Sequence, residues 1–172
     1  MWTFDYTAHR AFVAPAAEKS QIWRLIVGMI LIVGVFIGLG SLIYTFIFQA
    51  LTSLSVGIDV ANVLSLLFSF GAASVGVFAT TYFVHSCRPD VIFGPIRATL
   101  AHFYLVALGI IVLLVALAVL PPWGFDEPLI ANRVFWPWLL VLPIALISVL
   151  IQTSAEEILF RGYLQQQLGT RF

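Results

Sequence analysis

Ile22-Trp-Arg-Leu-Ile-Val-Gly-Met-Ile-Leu-Ile-Val-Gly-Val-Phe-Ile-Gly-Leu-Gly-Ser-Leu-Ile-Tyr-Thr-Phe-Ile-Phe48 is apolar almost throughout, with a single charge, Arg24, near its start. A membrane-spanning helix needs about 20 consecutive apolar residues. This run is long enough to span, and too long for the roughly 7–15-residue apolar core of a secretory signal. No Ala-x-Ala-like cleavage site followed by a soluble domain comes after it. It reads as a first membrane span.

Three further apolar runs follow. A short loop, Gln49–Asp59, leads to a second span over about Val60–Val84, which His85-Ser-Cys-Arg-Pro-Asp90 breaks. A third span covers about Leu100–Leu120 and is stopped by Pro121-Pro-Trp-Gly124. Asp126, Glu127 and Arg133 mark a water-facing loop, and a fourth helix runs from Phe135 or Trp136 to about Leu168. Helices are the expected form, because lipid cannot satisfy an open backbone. The expected fold is therefore all-α: a polytopic transmembrane helix bundle of about four spans. Residues 1–21 read as an N-terminal cytoplasmic tail with an interfacial stretch near Phe4–Phe12. Residues 22–134 hold three spans with short loops, and 135–172 the fourth helix.

Composition agrees. The chain is 62% hydrophobic and 9% charged, against about 25% charged for a soluble domain, too little to cover a water-facing surface. Eight basic and eight acidic residues cancel, so nothing points to nucleic acid as a partner. Cys87 is the only cysteine, which excludes an intrachain disulfide. Gly34-Val-Phe-Ile-Gly38 is a GxxxG pattern and a candidate helix-packing face.

The loops alternate in Lys and Arg. Arg10, Lys19 and Arg24 lie at the first end, none in loop one, Arg88 and Arg97 in loop two, Arg133 beside two acids in loop three, and Arg161 and Arg171 at the last end. The positive-inside rule then puts both termini in the cytoplasm, in what we expect to be the cell inner membrane. Trp23, Trp123, Trp136 and Trp138 fall near the expected interfaces.

Ser154-Ala-Glu-Glu-Ile-Leu-Phe-Arg-Gly-Tyr-Leu164 is the one dense ionisable cluster inside an apolar helix, and charges there are costly and usually functional. At about 100° per residue, Glu157 and Arg161 share a face and pair, acid N-terminal to base. Glu156 lies about 100° from Glu157 and about 140° from Arg161, so it stands outside that pair with its lone pairs free. A carboxylate in poorly solvated surroundings holds a proton more readily, which suits a general base acting on water. The apolar Ile158, Leu159, Phe160, Tyr163 and Leu164 favour burial of the cluster. In such a setting, loss of Arg161 would strand Glu157. The plainer alternative is that all three residues mark the cytoplasmic end of a long helix. If Pro143 resets the helix start, Glu156 lies deeper.

Glu156-Glu157-Ile-Leu-Phe-Arg161-Gly162-Tyr163-Leu164 resembles EExxxR, the first motif of the CPBP family of intramembrane proteases. That family includes the CAAX-processing endopeptidases related to the Ras-converting enzyme, and abortive-infection and bacteriocin-immunity proteins. The resemblance extends to the Arg-Gly-x-Leu continuation and covers Leu139–Phe172, roughly a fifth of the chain. It implies that Glu156 is the catalytic base, with Glu157 and Arg161 in supporting roles. It further implies peptide or protein substrates, with prenylated CAAX peptides one class, and a divalent metal in some members. The family continues with two later motifs, each supplying a His on a following helix. The sequence reaches Phe172 without them, and His9, His85 and His102 lie upstream and do not match. A fragment or a degenerate member, inactive as it stands, is therefore expected. No metal-ligand set is expected within these residues. His85 is expected at a helix end and His102 near the start of the third span. Two other classes remain open: a non-enzymatic membrane protein of the same superfamily acting in immunity or scaffolding, and a transporter fragment using Glu156 as an ion or proton site.

The topology predicts a labelling pattern. In a background without Cys87, an impermeant thiol reagent added outside should label cysteines placed at Leu54 or Asp126 and spare one at Arg88. Outside labelling at Arg88 would overturn the assignment.

Overall fold

A computed structural model describes residues 12–14, 16, 17, 21–93, 96–120 and 134–170 of the chain. The described residues fold as helices with no strand among them. In chain order, α1 is Ile22–Ser53, α2 Ile58–Ser69, α3 Gly71–Phe83, α4 Ile96–Val119, α5 Phe135–Glu157 and α6 Gln165–Gly169. A 3-10 turn, Pro89–Ile92, follows α3, and a π-helix, Ile158–Leu164, joins α5 to α6. Four candidate spans result: Ile22–Ser53, Ile58–Phe83, Leu100–Leu117 and Phe135–Gly169. The protein is an all-α integral membrane protein. Expectations placed on the Phe4–Phe12 stretch before Phe12, and on Lys19, Pro121–Gly124, Asp126, Glu127, Arg133, Arg171 and the Arg97 side chain, lie outside the described residues.

The chain divides into two compact units, Met1–Ile92 with Val141–Phe172, and Phe93–Leu140. The second unit contains α4 and the first turns of α5, where Phe135 stacks edge-on against Trp136 with ring centroids 5.5 Å apart. The first unit holds α1, α2, α3 and the length of α5 from Val141 through α6, and it carries the Glu156 cluster.

Within the first unit, buried positions are filled mainly by small side chains, while large apolar ones face outward. Ala61, Ala72, Ala73, Ala155, Ser65, Ser69, Ser148, Thr80 and Thr81 are buried. Phe46, Phe83 and Leu146 are exposed. This is what lipid selects: apolar side chains gain nothing by leaving it, so helices associate through close backbone approach. Several buried hydroxyls are satisfied on their own helix, while Thr80 donates across to the Gly28 carbonyl of α1 at 3.4 Å. Ser65 donates to the Ala61 carbonyl at 2.6 Å, Thr81 to Val77 at 2.8 Å and Ser148 to Ala145 at 2.8 Å.

The α1 face that meets α3 is Gly28, Ile32 and Gly40. A Cβ built on Gly76 of α3 would stand 3.1 Å from the Ile32 Cα and 3.2 Å from its carbonyl oxygen, so the two backbones touch there. The Gly34/Gly38 face expected to pack does not: both glycines are exposed, and a Cβ on either would meet nothing within 4 Å. The spacing of two glycines marks a smooth strip on the helix, and the residues opposite decide which strip is used.

Two ends are set locally. At the end of α1, Ser55 adopts a left-handed φ of 60°. Its N–H donates to the Thr52 carbonyl at 3.0 Å, and the Val56 N–H donates to Leu51 at 3.1 Å. This is a Schellman ending, and Val56 packs against the Leu51 cluster as that motif requires. After α3, Ser86 is left-handed at φ 51°, and the Cys87 N–H returns to the Thr81 carbonyl at 3.0 Å. Arg24 of α1 donates to the Val84 carbonyl at 3.1 Å and so caps that end.

The second span is not one regular helix. Phe70 closes α2 with an i→i−3 bond to Leu67 at 3.3 Å, and α3 restarts at Gly71. The Phe70 ring lies 5.4 Å from that of Phe36. The step falls beside a glycine, a common place for a helix to kink. The fourth span passes through Pro143 without a restart, so the helix origin is Phe135.

Filling the α1–α3 contact should be costly. Gly76→Val is expected to lower stability by about 1–3 kcal/mol through overpacking, whereas Gly38→Val should leave it nearly unchanged. Thermal unfolding of the two variants in detergent checks this; equal effects would contradict the assigned face.

Candidate active site

The last helix packs by one narrow face. Ser148, Ala155 and Gly162 recur every seven residues and are buried, joined by Tyr163, Gln166 and Gln167. A Cβ on Gly162 would overlap the Ile92 side chain of the 3-10 turn, so only glycine lets the π-helix lie this close. Gln166 fixes the lower end by donating from Nε2 to the Phe12 carbonyl at 2.8 Å.

Glu156 and Glu157 follow directly on buried Ala155 and divide as the helical angle requires. Glu157 points outward and pairs with Arg161, Oε2 to Nε 3.2 Å, with side chains 59% and 78% exposed. Glu156 is half-buried and makes no ion pair among the described residues. Its Oε1 accepts a hydrogen bond from Gln152 Nε2 at 2.7 Å, so its lone pairs are not all free, as the sequence analysis had them. Gln152 stands four residues before Glu156, a spacing at which side chains meet on a helix. The i,i+4 rule that identified Glu157–Arg161 would have found this contact too.

Burial of the cluster is less than its apolar neighbours suggested. Ile158, Leu159 and Leu164 are half-buried and Phe160 is exposed; only Tyr163 goes into the core. The 23 residues from Phe135 to Glu157 rise about 35 Å at 1.5 Å each, more than the roughly 30 Å hydrocarbon core. A helix of that length can carry Glu157 and Arg161 past the hydrocarbon core.

His85, which the sequence places only at a helix end, is buried together with Tyr163. Its Nε2 lies 3.0 Å from the Tyr163 hydroxyl, and the rings meet edge-on with centroids 5.6 Å apart. A Cβ on Gly28 would overlap that hydroxyl and crowd the Thr80 methyl at 2.7 Å. The ring tip therefore sits in a slot made by α1, the end of α3 and His85. His102 is exposed on α4. Among the described residues no three His, Cys, Asp or Glu side chains come together as metal ligands.

No protein-family model, curated protein or solved structure matches the chain.

Exposed ion pairs are worth about 0–1 kcal/mol. Arg161→Ala is therefore expected to lower thermal stability in membranes by no more than about 1 kcal/mol. A loss of several kcal/mol would contradict the exposed, water-screened character of the pair.

Proposed function

We propose that this chain carries the water-activating carboxylate of an intramembrane endopeptidase of the CPBP, CAAX-processing type. Glu156 is the general base, and Glu157 with Arg161 is the supporting pair. The observation that carries the reading is the division of labour between adjacent carboxylates. Glu157 is committed to a cation at 3.2 Å, while Glu156 holds only the neutral Gln152 amide at 2.7 Å among the described residues. A carboxylate so held keeps acceptor capacity for a water.

In this mechanism Glu156 takes a proton from water as the water oxygen attacks a peptide carbonyl, and returns it to the leaving amine. The Gln152 amide orients the carboxylate. The Glu157–Arg161 pair keeps the guanidinium away from Glu156. The negative charge that builds on the carbonyl oxygen requires donors, each typically worth about 10²–10³ in rate. In the family it resembles, these are supplied by histidines of two later motifs, and no step is routed through a metal. The partners are the bilayer and a peptide or protein substrate, with prenylated peptides one class. The site opens at the membrane boundary. With both termini cytoplasmic in the inner membrane, that boundary is the cytoplasmic one.

Glu156→Gln in the full-length protein keeps the shape and the contact with residue 152 but cannot take a proton. It is expected to abolish peptide cleavage in liposomes with folding intact, as judged by thermal unfolding. Near-normal turnover would remove Glu156 as the base. Absence of any cleavage by the wild type across a peptide panel would turn the reading toward a binding or transport role.

A further inference from the structure

We propose that the His85–Tyr163 hydrogen bond is a latch that sets the register of the helix bearing Glu156, making both residues positioning residues for that carboxylate. The inference rests on the reading of Glu156 as the base.

Three observations converge. Tyr163 stands seven residues after Glu156 on one continuous helical stretch, so its position constrains the carboxylate through the helix. Its hydroxyl is gripped from two elements at once: Gly28 of α1 leaves room for it, and His85 at the end of α3 bonds it at 3.0 Å. Between the two residues the helix is wound as π from Ile158 to Leu164.

A π turn is rare, and such turns inside α-helices are frequently found at functional sites. It carries roughly one residue more than an α turn, so reversion to α would rotate one side against the other by about 100°. With Gly162 pressed on Ile92 and Tyr163 on His85, the C-terminal side is fixed and the turn persists. Freed of the latch, Tyr163 can leave its slot, the turn can relax to α, and the Glu156 side can rotate against α3. Arg24 of α1 caps the Val84 carbonyl, next to His85 in the chain. Its role is to hold the backbone that carries the imidazole.

The test uses the full-length protein in liposomes, without Cys87, with spin labels on cysteines at Tyr82 and Ser154, both exposed. Tyr163→Phe and His85→Phe should each broaden the inter-label distance distribution. Each should lower kcat by about tenfold to a hundredfold, the scale of an ångström-level misplacement, with KM within about twofold. The double variant should be no worse than the poorer single, and His85→Gln, which keeps a hydrogen-bonding group, should recover most of kcat. A distribution that stays narrow in both single variants overturns the latch. So does wild-type kcat in a variant whose parent cleaves peptide. If the parent shows no Glu156-dependent cleavage, the protease reading fails separately. The latch is then decided by the labels alone, broadening supporting it and a narrow distribution overturning it.

Discussion

Lipid offers a helix neither hydrogen bonds nor a hydrophobic reason to meet another helix, and the rest of this structure follows from that constraint. A helix keeps backbone groups paired within the segment, side chains such as Arg24 and Gln166 reach carbonyls on other segments, and contact comes from surfaces smooth enough for backbones to touch. Gly28, Gly40 and Gly76 make the α1–α3 seam, and Ser148, Ala155 and Gly162 make the seam of the last helix. Large side chains such as Phe46 and Leu146 face outward, where they cost nothing.

A seam of small residues slides easily, so polar contacts are needed to fix it. Cross-helix hydrogen bonds in membranes average about 0.6 kcal/mol and reach about 1.7. That is modest for stability but enough to choose one register among similar ones. His85–Tyr163 at 3.0 Å and Gln166 to the Phe12 carbonyl at 2.8 Å are such contacts, and they lie on the buried side of the helix that carries the acids. Glu156 falls where the buried and open sides meet, between Ala155 at 1% exposure and the outward Glu157. A carboxylate at that edge is held by the protein and still reachable by water.

The sequence was most legible where one local rule decides. Apolar run length placed four spans, and the four-residue spacing placed Arg161 on Glu157. Both depend on residues within a few turns of each other. The step at Phe70 was hidden because no proline or charge falls between Val60 and Phe83, and a glycine after an aromatic residue does not announce a break. The choice of Gly28 over Gly34 and Gly38 was hidden because it depends on Ile32 meeting Gly76 across two helices. His85 and Tyr163 are 78 positions apart, and no spacing rule reaches that far. Tyr163 could therefore be read as part of a motif but not as a partner of His85.

The most direct test of this arrangement is a single-cysteine scan of residues 153–168 in membranes, without Cys87, read with a small water-soluble maleimide. Cysteines at Ser154, Glu157, Arg161 and Leu168 are expected to react quickly, those at Ala155, Tyr163 and Gln166 to be protected, and the one at Glu156 to react at an intermediate rate. Protection at Glu157 and Arg161 with free reaction at Ala155 and Tyr163 would mean that the helix presents its other face, and the account of the carboxylate site would not survive it.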